Sequence, residues 1–89
     1  MTIIKFDRNG VLWTRNDAVN QHLIDVQLRY FNAILDRQRY LYLSSIYKLL
    51  GMKWNPDWKN ICYLAEFGEL YYEIERNEEM DEYFIKIYQ

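Results

Sequence analysis

Chemistry at a site needs polar side chains of the right kinds to converge, and the candidates here are few. His22 is the sole histidine and Cys62 the sole cysteine. On a helical projection His22 falls on a polar arc beside Asp25 and Asp36, which predicts a plain surface residue. Cys62 stands in the apolar run Ile61-Cys62-Tyr63-Leu64, which predicts an inert buried thiol. A single cysteine forms no internal disulfide and no Cys-x-x-Cys ligand pair. Glu73 and Glu75 share one face of a predicted strand, and Glu78, Glu79, Asp81 and Glu82 crowd a predicted turn. Paired carboxylates could move protons or hold a divalent ion, but these lack the Gly-punctuated spacing of a calcium loop. They read as solvated charges that keep a sheet edge from aggregating. The three glycines, Gly10, Gly51 and Gly68, make no phosphate-cradling loop. The expectation is a protein without catalytic residues, cofactor or metal, and therefore not an enzyme.

Two other groups of residues suit binding. Sixteen of the 89 residues are aromatic: nine Tyr, four Phe and three Trp. Tyr and Trp dominate interface hot spots because they offer large rigid area with a polar tip. Tyr71, Tyr72, Tyr83 and Tyr88 occupy both faces of the predicted C-terminal hairpin, and with Glu73, Glu75, Glu78 and Glu79 they form the candidate partner-binding set. The alternative set is basic: Arg37, Arg39, Lys48, Lys53 and Lys59, interleaved with Tyr40, Tyr42, Trp54 and Trp58. Cations there could neutralise phosphates while rings stack on unpaired bases. The net charge of −2 conceals a division, for residues 1–64 carry nine bases against five acids and residues 65–89 carry two bases against eight acids. A +4 body thus bears a −6 tail.

The elements that must position these residues follow from periodicity and turn chemistry. Ile3-Ile4-Lys5-Phe6 and Val11-Leu12-Trp13-Thr14 flank Asp7-Arg8-Asn9-Gly10, and Asn-Gly is a strong hairpin signal, so an N-terminal β-hairpin is expected, with an irregular arm and turn as the competing reading. A long helix is expected over 16–37, capped by Asn16 or Thr14. Its apolar residues, among them Val19, Leu23, Ile24, Val26, Leu28, Tyr30, Phe31 and Ile34, spread over about 220°, wider than the ~100° stripe of a surface helix. Such an arc calls for cover from two sides, by a sheet and a helix or by a second subunit. Tyr40–Leu43 alternates like a strand, and Ser44-Ser45 offers caps for a short helix over 44–51 that Gly51 ends. Trp54-Asn55-Pro56-Asp57-Trp58 reads as a turn, and 61–64 fits helix or strand equally. Leu70, Tyr72 and Ile74 alternate with acids, and Tyr83, Ile85 and Ile87 alternate with Phe84, Lys86 and Tyr88, giving a C-terminal antiparallel hairpin over 69–88. Residues 1–89 make one domain of the α+β class.

Arg39 to Met52, RYLYLSSIYKLLGM, resembles a pattern in small phage and mobile-element proteins of unknown function from Gram-positive bacteria, the likeness running over about residues 39–75. The resemblance implies an accessory protein of a mobile element and assigns no functional residue. The start of the chain lacks the charge and apolar run of a secretion signal, and no apolar stretch approaches the roughly 18 residues of a membrane span, which together predict a cytoplasmic protein away from membranes. The leading expectation is a non-enzymatic protein-interaction domain acting through its acidic, Tyr-rich hairpin, in its sharpest form an inhibitor of a host DNA-handling protein. A small nucleic-acid-binding module using Arg37–Lys59 and a homodimeric structural protein are the alternatives.

Overall fold

The computed structural model describes residues 2–53 and 61–89. The chain turns where Asn9-Gly10 predicts: the Gly10 amide donates to the Asp7 carbonyl (2.9 Å) and the Asn9 amide to the Asp7 carboxylate (2.9 Å). The strand before the turn, β1 (Thr2–Asp7), does not pair with the residues after it. Its partner is the last strand, β5 (Glu82–Tyr88), in an antiparallel register from Thr2 opposite Ile87 to Asp7 opposite Glu82. The predicted N-terminal hairpin is thus replaced by the irregular arm. Six residues of ladder with Ile4 and Phe6 buried outweigh what the four residues 11–14 could offer. Val11 instead donates its amide to the Gly51 carbonyl (2.9 Å), and Trp13 packs on Phe6 and Tyr83 at centroid distances of 5.4 and 5.7 Å.

β4 (Tyr71–Asn77) lies on the other side of β5, so the sheet order is β1-β5-β4, all antiparallel. The C-terminal hairpin stands as expected, with Asp81 accepting a positive φ of 53° in its turn. A second, two-stranded sheet pairs β2 (Tyr40–Tyr42) with β3 (Cys62–Leu64), which settles the 61–64 segment as strand. The predicted turn around Pro56 lies outside the described residues. The α+β class holds.

α1 (Asp17–Gln38) runs within one residue of its predicted span. The Asn16 side chain caps it by accepting the Val19 amide (3.1 Å). It stops at Arg39, whose amide still donates to the Leu35 carbonyl (2.8 Å) and whose φ of 74° then turns the chain out of the helix, a left-handed terminus made without glycine. Three contacts fix its direction across the sheet. Asp17 meets Tyr83 and Arg76 near the hairpin turn, Asp25 meets Tyr72, and Asn32 meets Leu70, so α1 runs parallel to β5 and antiparallel to β4. Asn32 serves Leu70 as a strand neighbour would, accepting its amide (2.8 Å) and donating to its carbonyl (3.0 Å). α2 (Leu43–Leu49) closes one end of the core. Ser44 and Ser45 are not its caps: the helix starts at Leu43 without a side-chain cap, and the Leu43 amide is taken by the Ile61 carbonyl (2.9 Å).

One core joins the inner sheet face (Ile4, Phe6, Tyr83, Ile85, Ile87) to Ile24, Leu28, Phe31 and Leu35 of α1 and Ile46 and Leu50 at α2. Of the wide arc of α1, Leu23 and Ile34 pack half-buried against the core, while Val19, Val26 and Tyr30 remain at 49, 42 and 47% exposure. Gly51, at φ 71°, carries the docked arm, since a Cβ there would come within 3.1 to 3.3 Å of Leu12 and Val11. Urea unfolding should show Phe31→Ala losing about 3–5 kcal/mol, as expected for a buried ring. Gly51→Ala should lose at least about 1–2 kcal/mol, the cost of a left-handed L-residue, since the docked arm leaves its Cβ little room.

Candidate protein-interaction surface

Alternation along three paired strands decides which side chains reach solvent together. α1 covers one face of the sheet, and the other is open among the described residues. Across it the register aligns four rows: Tyr71 with Tyr88; Glu73 with Lys86 and Ile3; Glu75 with Phe84 and Lys5; Asn77 with Glu82 and Asp7. Tyr71 is 66% exposed and Ile3 50%, while Phe84 and Tyr88 are half-buried. Lys86 lies 3.1 Å from Glu75, whose bond and charge raise the lysine's pKa. The Tyr88 hydroxyl reaches Glu73 at 3.5 Å, and Lys5 bridges Glu82 (3.5 Å) and Asp7 (3.8 Å). Four carboxylates against two ammonium groups leave the face acidic. Glu78 and Glu79 extend it at the hairpin turn, beside Met80 at 66% exposure.

The structure therefore brings together Tyr71, Glu73, Glu75 and Tyr88 of the predicted partner-binding set, with Glu78 and Glu79 at the rim. Two members of that set turn the other way. Tyr83 is fully buried: its ring stacks near Phe6 and Trp13, the Arg76 guanidinium lies 4.8 Å from its centroid, and its hydroxyl donates to Asp17 (2.8 Å). Tyr72, also on the covered face, is half-buried and donates to Asp25 (3.3 Å). Both follow the parity of their strands, for Tyr83 shares its face with Ile85 and Ile87, and Tyr72 with Ile74. Ile3 and Lys5 join the surface only through the β1–β5 pairing, a contact across nearly the whole chain that no local signal announces. Phe84 and Lys86 were visible as the second face of β5.

Arg76 anchors the covered side of the hairpin. It donates to Asp81 (2.6 Å) and to the Glu82 and Asn77 carbonyls (2.9 and 3.1 Å), while its Nε sits 3.2 Å from Asp17 at an angle that makes no hydrogen bond.

The basic set is dispersed. Arg37 and Arg39 are exposed at the end of α1, with Arg39 paired to Asp36 (3.7 Å) in a depression shared with Glu69. Lys48 borders a groove with Ile34 and Gln38, and Lys53 borders a third depression with Lys5 and Asp7. Trp54, Trp58 and Lys59 lie outside the described residues. Tyr40 and Tyr42 stand edge to face at 5.4 Å, each 44% exposed. His22 is exposed as expected, but so is Cys62, since β3 turns it outward opposite Tyr42 and buries Tyr63 instead. Among the described residues no group of three His, Cys, Asp or Glu side chains is placed to hold a metal ion, and no helix is long and apolar enough to cross a membrane.

Burial, then the hydrogen bond and charge of Asp17, push the Tyr83 hydroxyl up from 10.0 to about 12. Its neutral form is favoured in the folded state, so stability is complete below pH 10 and lost as pH rises toward 12. Two pKa units amount to about 2–3 kcal/mol. Tyr47, Tyr63 and Tyr72 shift in the same direction, chiefly through burial. Alkaline titration of stability should fall over that window, and Tyr83→Phe should remove the largest single part of the fall. The native protein should also react with one equivalent of a thiol reagent at Cys62 without denaturant. Comparison with protein families, with curated proteins and with solved structures finds no match.

Proposed function

We propose that the protein is a non-enzymatic interaction domain whose binding surface is the open face of the β1-β5-β4 sheet. The observation that carries this is the clustering of Tyr71, Tyr88, Phe84 and Ile3 with Glu73 and Glu75 on a face that α1 leaves uncovered. Aromatic and apolar groups interspersed with charge suit a protein partner. The excess of carboxylate over ammonium, continued by Glu78 and Glu79, calls for a partner with basic side chains around an apolar spot, such as the nucleic-acid-binding surface of another protein. Lys86 and Lys5 pair with part of that charge, which moves the emphasis of recognition from the acids to the rings.

The second reading, a nucleic-acid-binding module, is favoured by one observation: the exposed Tyr40–Tyr42 pair adjoins Arg39 in the chain.

The two separate cleanly. Protein captured from a cell lysate by the wild-type chain should be lost with Tyr71→Ala/Phe84→Ser and weakened about tenfold with Glu73→Lys/Glu75→Lys, each variant remaining folded by circular dichroism. Capture that survives both variants excludes this face. Anisotropy with single-stranded oligonucleotides at low salt should show no binding. Binding abolished by Arg37→Glu/Arg39→Glu would establish the second reading instead.

A further inference from the structure

The apolar residues of α1 outside its buried stripe carry a pattern of their own, though Leu23 among them also touches the core. Val19, Leu23, Val26, Tyr30, Ala33 and Arg37 follow one another at steps of four, three, four, three and four. That is the a/d spacing of a coiled-coil seam, sustained over about 27 Å of helix. It lies about 150° around the helix from Ile24, Leu28, Phe31 and Leu35, the residues that face the sheet. Val19, Val26 and Tyr30 are each exposed by more than two-fifths, Ala33 is exposed, and Leu23 is half-buried. Isolated exposed apolar side chains mean little, but a regular row is made to meet another helix.

We infer that this seam pairs with the same seam of a second copy, in antiparallel orientation, to form a homodimer. That orientation also matches the side chains by size. With the dyad level with residue 28, Leu23 faces Ala33 of the second copy and Val26 faces its Tyr30, each layer joining a larger side chain to a smaller one. Val19 lies under the aliphatic stem of the second copy's Arg37. The flanking polar groups agree: the His22 imidazole, a hydrogen-bond donor, comes opposite the Asp36 carboxylate of the second copy, twice by symmetry. A parallel pairing would set His22 against Gln27 instead. At the dyad Arg29 meets its own copy, each side chain drawn back to the Asp25 carbonyl of its own helix (3.4 Å). A seam under three heptads long, with like charge at its centre, belongs to the small-interface class that associates weakly. The dimer would then be a stack of sheet, helix, helix and sheet, leaving both open sheet faces outside. It uses a surface separate from the proposed partner site.

Sedimentation equilibrium tests this. The mass should rise from 11.1 kDa toward twice that value as concentration increases from about 1 μM to about 1 mM. Val26→Asp, or Ala33→Glu should the first fold poorly, should weaken dimerisation at least tenfold while remaining folded by circular dichroism. His22→Glu should weaken it severalfold, and His22→Glu/Asp36→Lys should recover most of the loss. A monomer at every concentration overturns the inference, as does a dimer indifferent to both seam substitutions. Failure of the double variant to recover overturns the antiparallel pairing and the inference with it.

Discussion

The three-stranded sheet, and the long helix packed on it, take their positions from β5. The strand lies between β1 and β4, so its backbone groups are paired on both edges. Tyr83, Ile85 and Ile87 supply the inner face on which α1 rests. Because side chains alternate, the same seven residues assign Phe84, Lys86 and Tyr88 to the opposite surface, and no shift of register by one residue could satisfy both faces. The interaction surface is therefore the outer half of the strand that holds the core.

α1 is tied to this sheet by polar contacts as well as by packing. Asp17, Asp25 and Asn32 are spaced about two turns apart, and they engage Tyr83, Tyr72 and Leu70 in order along the sheet. Apolar contact is indifferent to small rotations of a helix, whereas these bonds are not. They hold Ile24, Leu28, Phe31 and Leu35 inward and thereby present the Val19-to-Arg37 row outward. The N-terminal arm contributes in the same way. Thr14 and Asn20 exchange three hydrogen bonds that close the entry to the helix (2.8 to 2.9 Å).

Local signals in the chain made much of this legible. The cap at Asn16, the unbroken helix after it and the two alternating segments at the C-terminus each announce themselves within a few residues. What stayed hidden is long-range. Asn9-Gly10 marks a turn truthfully, yet the β1 partner lies some eighty residues away and has no signature beyond being another strand. Tyr83 and Tyr71 are the same residue type in neighbouring strands, and only parity against Ile85 and Leu70 tells the buried ring from the exposed one. Cys62 stands in an apolar run, but two-residue alternation in β3 gives burial to Tyr63 and exposure to Cys62. Of the fourteen rings among the described residues, five are buried, so the surplus of aromatics over core volume was real, though its distribution depended on pairing.

The pairing of β1 with β5 also sets an order of events during synthesis. β1 has no edge to join until β5, some eighty residues further along, exists, which at 5–20 residues per second means a wait of several seconds. In that interval Ile3, Ile4 and Phe6 remain unpaired, while α1 and its capping contacts can already form. Closure of the core around Phe6 and Tyr83 then waits on two segments far apart in the chain zipping together.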